Sequence, residues 1–266
     1  MIIVDPHTHY YKIFNIDDVL NVAYRNFGKA AQRIGTVDGF TAILFVAGVG
    51  SENLNVEFEV AAPKEWILSA TGEPNALVAQ ARDNRQVYLI LGHQVISKEG
   101  LEVLGYLPMH KIKSGPGIEN IIENIQSLDG LAIVPWGFGK WMGKRKSVMV
   151  NLINRGDSNF VIGDIGGRSK ILGHPDIFRM AKKRGIRILP GSDPLPLADE
   201  FNRIGTCGFC IKGELDENAP LSHIIISLTN PRVEIESFAS YINLVDFMIK
   251  QLQLRWLRLK PYRIIQ

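Results

Sequence analysis

The sequence predicts an α/β fold whose strands form a TIM-like barrel, and three observations lead to this prediction. Short apolar runs alternate with longer segments of helical period, which is typical of βαβ units with a parallel sheet. The apolar runs are continuous, as in strands that are buried on both faces. Residues suited to a functional site follow several of these runs, where a barrel of this class builds its active site.

The individual elements follow from the same patterns. Apolar runs predict strands at Ile2–Val4, Thr41–Val46, Val87–Leu91, Leu101–Leu107, Leu131–Val134, Phe160–Ile162 and Ile186–Leu189. Helical periodicity predicts helices at Ile16–Ile34, Ile118–Leu128, Lys146–Asn154, Asp176–Arg184 and Tyr241–Leu257. The stretch Thr206–Pro220 is expected to be a loop or a small hairpin.

Length and composition indicate one globular domain. The chain has 266 residues, of which 46% are hydrophobic and 21% are charged, and α/β barrels of about 200 to 250 residues form single domains. We therefore expect residues 1–266 to form one barrel domain, with a helical extension at about 240–266. Two cysteines exclude a disulfide framework. With no secretory signal and no apolar run of membrane-spanning length, we expect a cytoplasmic protein without a transmembrane segment.

Two histidines, His7 and His9, directly follow the first predicted strand. Side chains at positions i and i+2 of an extended segment point to the same side, and neutral imidazole is the commonest metal ligand in proteins. The alternative is that both are polar loop residues. Their position behind a buried strand favours a metal site.

Two aspartates are candidates for the remaining ligands. Asp193 lies in "PGSDPLP", where Gly191 permits a tight turn after another strand; the alternative is a helix cap or an Asx turn. Asp164 lies in "GDIGGR". The alternative interpretation of this segment is a glycine-rich surface turn. Arg168 ends this segment and is expected to clamp an anionic substrate group.

An aromatic and basic segment, "PWGFGKWMGKRK", follows the fifth predicted strand. We expect Lys140 to bind an anion at the site and Trp136 to line the substrate pocket. Such a mixture also suits single-stranded nucleic acid. A net charge of only +3 argues against that partner, so we expect an anionic small-molecule substrate instead.

With these residues in view, the chain resembles the PHP (polymerase and histidinol phosphatase) family. The opening "VDPHTHYY" resembles the family's first motif, "LPGSDPLP" resembles its late GSD motif, and Leu89–Leu107 resembles the strands around a glutamate ligand. The resemblance implies a distorted (β/α)7 barrel that hydrolyses phosphoesters with bound metal ions. Amidohydrolase barrels are the wider relatives, and there a late aspartate also acts as general base.

The sequence departs from the family pattern at several ligand positions. Gln94 stands where the family has its glutamate, Leu195 stands where it has a late histidine, and Phe45–Gly50 contains no histidine. A site with three metal ions is therefore not expected.

The remaining residues predict a mononuclear hydrolase. His7, His9 and Asp193, with Asp164 as a further candidate, hold one Zn²⁺ or Mn²⁺ ion, and Asp193 also accepts a proton. Lys140 and Arg168 neutralise negative charge on a phosphoester or a similar substrate. The alternative is a catalytically degenerate barrel that acts as a binding or scaffolding module.

Overall fold

The structure is a computed structural model that describes residues 1–35, 39–49, 61–107, 112–137, 139–156, 160–169, 171, 173 and 175–259. Its strands are β1 (Ile2–Thr8), β2 (Thr41–Val49), β3 (Trp66–Ala70), β4 (Ala76–Ala81), β5 (Gln86–Ile96), β6 (Glu102–Tyr106), β7 (Leu131–Trp136), β8 (Val161–Ile165), β9 (Ile188–Gly191), β10 (Cys207–Ile211) and β11 (Ile235–Ala239). Its α-helices are α1 (Ile16–Ile34), α2 (Ile118–Ser127), α3 (Lys144–Arg155), α4 (Asp176–Lys183), α5 (Pro220–Thr229) and α6 (Leu244–Leu259).

The strands form one mixed sheet in the order β11-β10-β1-β2-β5-β6-β7-β8-β9. Strands β1, β2 and β5 are parallel, and so are β7, β8 and β9. Strand β6 runs antiparallel to both of its neighbours, and the β3–β4 hairpin extends from β5. The expectation of a parallel sheet is therefore wrong for β6, because a tight turn rather than a helix connects it to β5.

The sheet curls into a nearly closed barrel because β9 returns to β1. The backbone N–H of Asp193, just after β9, donates to the carbonyl of His7 at 2.8 Å. This bond brings the carboxyl ends of the two strands together. The predicted α/β barrel is thus confirmed in its coarse shape, although the additional antiparallel strands distinguish it from a regular (β/α)7 barrel.

Apolar side chains fill both the barrel interior and the layer between the sheet and its helices. The interior contains residues such as Val4, Phe45, Tyr106 and Phe209, all fully buried. Helix α1 packs against the outer face of β1, β2 and β5, while α2, α3 and α4 cover β6, β7 and β8. These layers fix the strands whose ends carry the polar residues.

Helix α1 has the bounds that the sequence predicts. The Asn15 side chain accepts hydrogen bonds from the N–H groups of Asp17 and Asp18, and Gly35 ends the helix with a φ of 78°. The segment Thr206–Pro220 is different from the expected loop or hairpin. Its first part is β10, a buried strand that pairs with β1 on one side and β11 on the other.

In the part of the chain that the structure describes, no helix combines the length and the apolar character needed to cross a membrane.

Gly191 of β9 lies against His7 of β1 without room for a side chain. A Cβ atom at this position would lie 2.6 Å from the Cβ and 3.0 Å from the backbone N of His7. We expect Gly191→Ala to lower the free energy of unfolding by about 1–3 kcal/mol, since the two strands must move apart. Urea unfolding measures this change.

Gly167→Ala is the matched control, because a Cβ there has no neighbouring atom within 4 Å. Equal stability losses in the two variants would contradict the close approach.

Candidate metal centre

His7 and His9 point to the same side at the carboxyl end of β1. The pairing of β1 with β2 shifts register between Asp5 and Thr8, and the Thr8 hydroxyl donates to the Phe45 carbonyl at 2.8 Å. The two imidazole rings are nearly perpendicular to each other, and their Nε2 atoms are 3.1 Å apart. Both side chains are almost fully buried.

The ring of His9 is oriented by a contact with the neighbouring strand. Its Nδ1 atom lies 2.7 Å from the carbonyl oxygen of Ala47 in β2. Because a carbonyl can only accept, Nδ1 carries the proton and Nε2 presents a lone pair to the interior of the site. A second hydrogen bond of this kind is typical of a metal-binding histidine. The Nδ1 atom of His7 is buried and has no hydrogen-bond partner among the described residues.

Asp193 is the third member of the group, and it lies just after β9, where β9 meets β1. Its backbone has a φ of 42°, a left-handed conformation that aspartate tolerates better than most residues. Its Oδ1 atom lies 3.4 Å from Nε2 of His7 and 3.5 Å from Nε2 of His9. The residues that the sequence placed almost two hundred positions apart are therefore neighbours.

These three atoms fit the ligand set of a metal ion. Each residue offers one ligand atom, and all of these atoms lie within 4.8 Å of one another. Ligands about 2.0–2.1 Å from a tetrahedral ion lie about 3.3–3.4 Å apart, which is close to the separations of 3.1, 3.4 and 3.5 Å in this group. Among the residues that the structure describes, no other group of histidines, cysteines and carboxylates meets this criterion.

The buried carboxylate of Asp5 holds the ends of β1 and β9 in place. It accepts hydrogen bonds from the backbone N–H groups of His7 at 3.3 Å, Ser192 at 3.0 Å and Gly205 at 2.9 Å. Burial raises the pKa of Asp5 to about 7, although these hydrogen bonds lower it. Asp5 thus connects the two segments that carry the ligands.

Burial and neighbouring charges set the protonation of the ligands. Burial lowers the pKa of His7 to about 3, against the opposing effect of Asp193. Burial acts to raise the pKa of Asp193, but interactions with His7, Lys140, His9 and Arg203 lower it overall. Near neutral pH the group therefore consists of a neutral His7 and an ionised Asp193, which is the form that binds a cation.

Tyr106 lies beneath the group inside the barrel. Its hydroxyl donates to the carbonyl of Pro6 at 3.4 Å, and its ring is fully buried. Burial, Asp5 and Asp193 all raise its pKa well above the usual value. Tyr106 therefore stays neutral.

Lys140 lies at the rim of the same site. It follows β7, and its Nζ donates to Oε2 of Glu102 at 2.5 Å. Its positive charge is close enough to lower the pKa of both His7 and Asp193. The sequence predicts Lys140 as a site residue but gives no signal for its partner Glu102.

Asp164 and Arg168 form a buried ion pair outside this group. The guanidinium donates through Nε and Nη2 to the two carboxylate oxygens at 2.7 and 2.9 Å, and the Tyr241 hydroxyl donates to Oδ2 at 2.8 Å. Arg168 is 1% exposed, and its guanidinium stacks on the ring of Tyr241. The structure thus gives both residues a structural pairing and does not bring Asp164 to the histidines.

Trp136, the other predicted substrate-binding residue, packs its ring edge-to-face against Phe178 of α4. Its indole also lies within 6.0 Å of the Arg168 guanidinium. The structure therefore places Trp136 beside the Asp164–Arg168 pair rather than in the His7, His9 and Asp193 group.

Solved structures show a similar fold at low sequence identity. PsfC from Pseudomonas syringae PB-5123 aligns with a TM-score of 0.54 and 10% identity over 96% of this chain and 98% of that chain. The lesion-specific endonuclease PfuEndoQ from Pyrococcus furiosus aligns with a TM-score of 0.53 and 17% identity over 88% of this chain. The alignment spans only 57% of the endonuclease chain.

No protein-family model and no curated protein sequence matches the chain. The barrel is consistent with the resemblance to the PHP family, and the similarity to solved structures concerns the fold alone.

The sequence-based preference for a small-molecule partner over nucleic acid is wrong. One of the proteins that share the fold is an endonuclease, so a barrel of this kind is compatible with nucleic acid as a substrate. The near-neutral net charge misled this inference because it averages over the whole surface, whereas a nucleic acid responds to the charges near the site.

The role of Asp5 predicts a large effect of its removal on stability. We expect Asp5→Ala to leave three buried N–H groups without an acceptor, at about 1–3 kcal/mol for each. Urea unfolding of the metal-free protein measures the loss.

Asp83→Ala is the control, because the Asp83 carboxylate is exposed and pairs only with Arg85 among the described residues. A loss for Asp5→Ala no greater than that for Asp83→Ala would show that Asp5 does not hold the strands together.

Proposed function

We propose that this protein is a metal-dependent phosphoesterase that acts on nucleic acid. The observation that carries the proposal is the convergence of His7, His9 and Asp193 at the carboxyl ends of β1 and β9, with ligand atoms 3.1 to 3.5 Å apart. This is the end of the barrel where enzymes of this architecture perform their chemistry.

The chemistry of the three residues favours Zn²⁺ over Mn²⁺ as the ion. Two imidazole nitrogens and one carboxylate oxygen suit zinc, and their separations match a tetrahedral arrangement with one position left for water or substrate. Mn²⁺ prefers octahedral sites that are rich in oxygen ligands. A bound zinc ion supplies Lewis-acid chemistry, because it polarises a phosphoryl oxygen and lowers the pKa of a coordinated water.

The protein's own residues have three tasks in this proposal. Ala47 fixes the His9 tautomer, and the ionised Asp193 accepts a proton in addition to its role as ligand. Lys140 stands at the rim, where its ammonium can attract the phosphate of a substrate and stabilise the charge that develops on it.

Nucleic acid is the proposed substrate because of the fold and the rim charge together. PfuEndoQ, which is a lesion-specific endonuclease, has a similar fold over 57% of its chain, and the phosphodiester backbone is the part of a nucleic acid that a metal ion and a lysine recognise. The PHP resemblance also implies phosphoester hydrolysis.

A second candidate is a barrel that binds nucleic acid without cleaving it. The observation in its favour is that only three ligand residues converge: Asp164 is engaged by Arg168 and Tyr241, and Gln94 replaces the glutamate of the family pattern. Turnover distinguishes the two candidates.

The metal site predicts a defined stoichiometry. We expect the purified protein, after dialysis against zinc, to retain about one ion per chain, measured by inductively coupled plasma mass spectrometry. The double variant His7→Ala with His9→Ala should lose this ion because two of its three ligands are missing.

Asp164→Asn is the control, and it should keep the metal while losing stability, since the buried Arg168 guanidinium loses its ionised partner. Equal metal content in wild type and the double variant would contradict the assignment.

The proposed activity predicts cleavage of DNA by the zinc-loaded protein. Single-stranded DNA, intact duplex and lesion-containing duplex are the substrates, and gel electrophoresis of labelled strands follows the reaction. We expect Asp193→Asn to reduce the rate about 100-fold or more, because a ligand and a proton acceptor are lost.

Asp83→Asn, a change of the same kind on the surface, should leave the rate unchanged. Retained metal and DNA binding without cleavage by the wild type would favour the non-catalytic barrel.

A further inference from the structure

The ion pair between Glu102 and Lys140 connects two segments at the rim of the metal centre. Nζ of Lys140 and Oε2 of Glu102 are 2.5 Å apart, and the two side chains are 36% and 23% exposed. A surface pair of this kind contributes little to stability in general. Both residues, however, lie at the end of the barrel that carries His7, His9 and Asp193.

Glu102 lies at this rim because β6 is antiparallel to its neighbours β5 and β7. It is the first residue of β6 and pairs with Ile96 at the carboxyl end of β5. The amino end of β6 therefore lies at the same end of the barrel as the carboxyl ends of β1, β5, β7 and β9. Lys140 comes from the segment after β7 and meets Glu102 there.

The stem of Lys140 is packed as well as its ammonium group. A Cβ atom at Gly137 would lie 2.8 Å from its Cδ and 3.2 Å from its Cε, so the absence of a side chain at Gly137 makes room for the lysine. Both ends of the side chain are thus constrained.

We propose that Glu102 is a positioning residue that holds the Lys140 ammonium as the phosphate-binding cation of the site. The inference deepens the proposed function, on which it rests for the identity of the ligand as a phosphate group. An ammonium carries three N–H donors, so it can donate to Glu102 and to a phosphate oxygen at the same time. Because Glu102 already restricts the flexible lysine side chain, Lys140 loses less conformational entropy when it binds the phosphate.

The sign of the effect separates positioning from simple electrostatics. Glu102 carries a negative charge near the place where an anion would bind, so neutralising it strengthens anion binding if only charge matters. If Glu102 positions Lys140, the same substitution weakens anion binding. Glu102→Gln therefore gives opposite results under the two explanations.

The experiment measures binding of inorganic phosphate by isothermal titration calorimetry, with the zinc-loaded protein and again with the metal-free protein. We expect Lys140→Met to raise the Kd about tenfold and Glu102→Gln to raise it about threefold to tenfold, the range for one charge-assisted hydrogen bond at a partly exposed site. Glu102→Asp should restore part of the affinity. In the Lys140→Met background, Glu102→Gln should cause no further loss.

Glu119→Gln is the matched control, since Glu119 forms a similar surface pair with Arg155 at 2.6 Å, between α2 and α3. It should leave the Kd unchanged. An unchanged or lower Kd for Glu102→Gln, or a further loss in the Lys140→Met background, overturns the proposal.

A short single-stranded DNA oligonucleotide without terminal phosphates is the second probe. A weaker affinity of the variants for both probes assigns the subsite to the phosphodiester backbone. A loss for inorganic phosphate alone assigns it to a terminal phosphate group. Unchanged affinity for both probes overturns the proposal.

Failure of this inference and failure of the proposed function give different results. A protein that retains zinc and cleaves DNA but shows no effect of Glu102→Gln retains the proposed function and loses this inference. If the protein retains no metal but its variants follow the expected order of phosphate affinities, the proposed function is lost and this inference is retained.

Discussion

The buried carboxylate of Asp5 is the constraint on which the candidate site depends. It binds the backbone of β1, of the turn after β9 and of Gly205 before β10. These segments meet where the sheet closes, and the closure places Asp193 against His7 and His9. Without it, two histidines and a distant aspartate would belong to separate strand ends. The site is thus a consequence of barrel closure as much as of the ligand residues themselves.

Much of the fold was predictable because its signals are local. The bounds of α1 follow from its capping residues, and the apolar runs mark the strands β1, β2 and β5 to β9. Strand direction is not contained in an apolar run, which is why the antiparallel course of β6 was missed. The segment Cys207–Ile211 gives no clear strand signal because it is short and contains a glycine. Gly208 is required there because a Cβ atom would lie 2.0 Å from the carbonyl oxygen of Val4.

The candidate site was predictable in part for a related reason. Searching the residues that follow apolar runs finds His7, His9, Asp193 and Lys140, which the structure brings to one end of the barrel. The same search cannot find Glu102, because in an antiparallel strand the residue at this end precedes the apolar run. It also selected Asp164 and Arg168, although their spacing of four residues is itself compatible with an ion pair. A sequence motif does not distinguish a carboxylate that faces a cavity from one that is paired inside the protein.

We infer that barrel closure creates a tetrahedral metal site from two imidazoles and one carboxylate. X-ray absorption spectroscopy of the zinc-loaded protein distinguishes this site from others, because imidazole rings give a recognisable multiple-scattering pattern. Two imidazole nitrogens and two oxygens are expected at about 2.0–2.2 Å from the zinc ion. A shell of six oxygens without imidazole scattering would show that zinc binds elsewhere and that these three residues do not form its site.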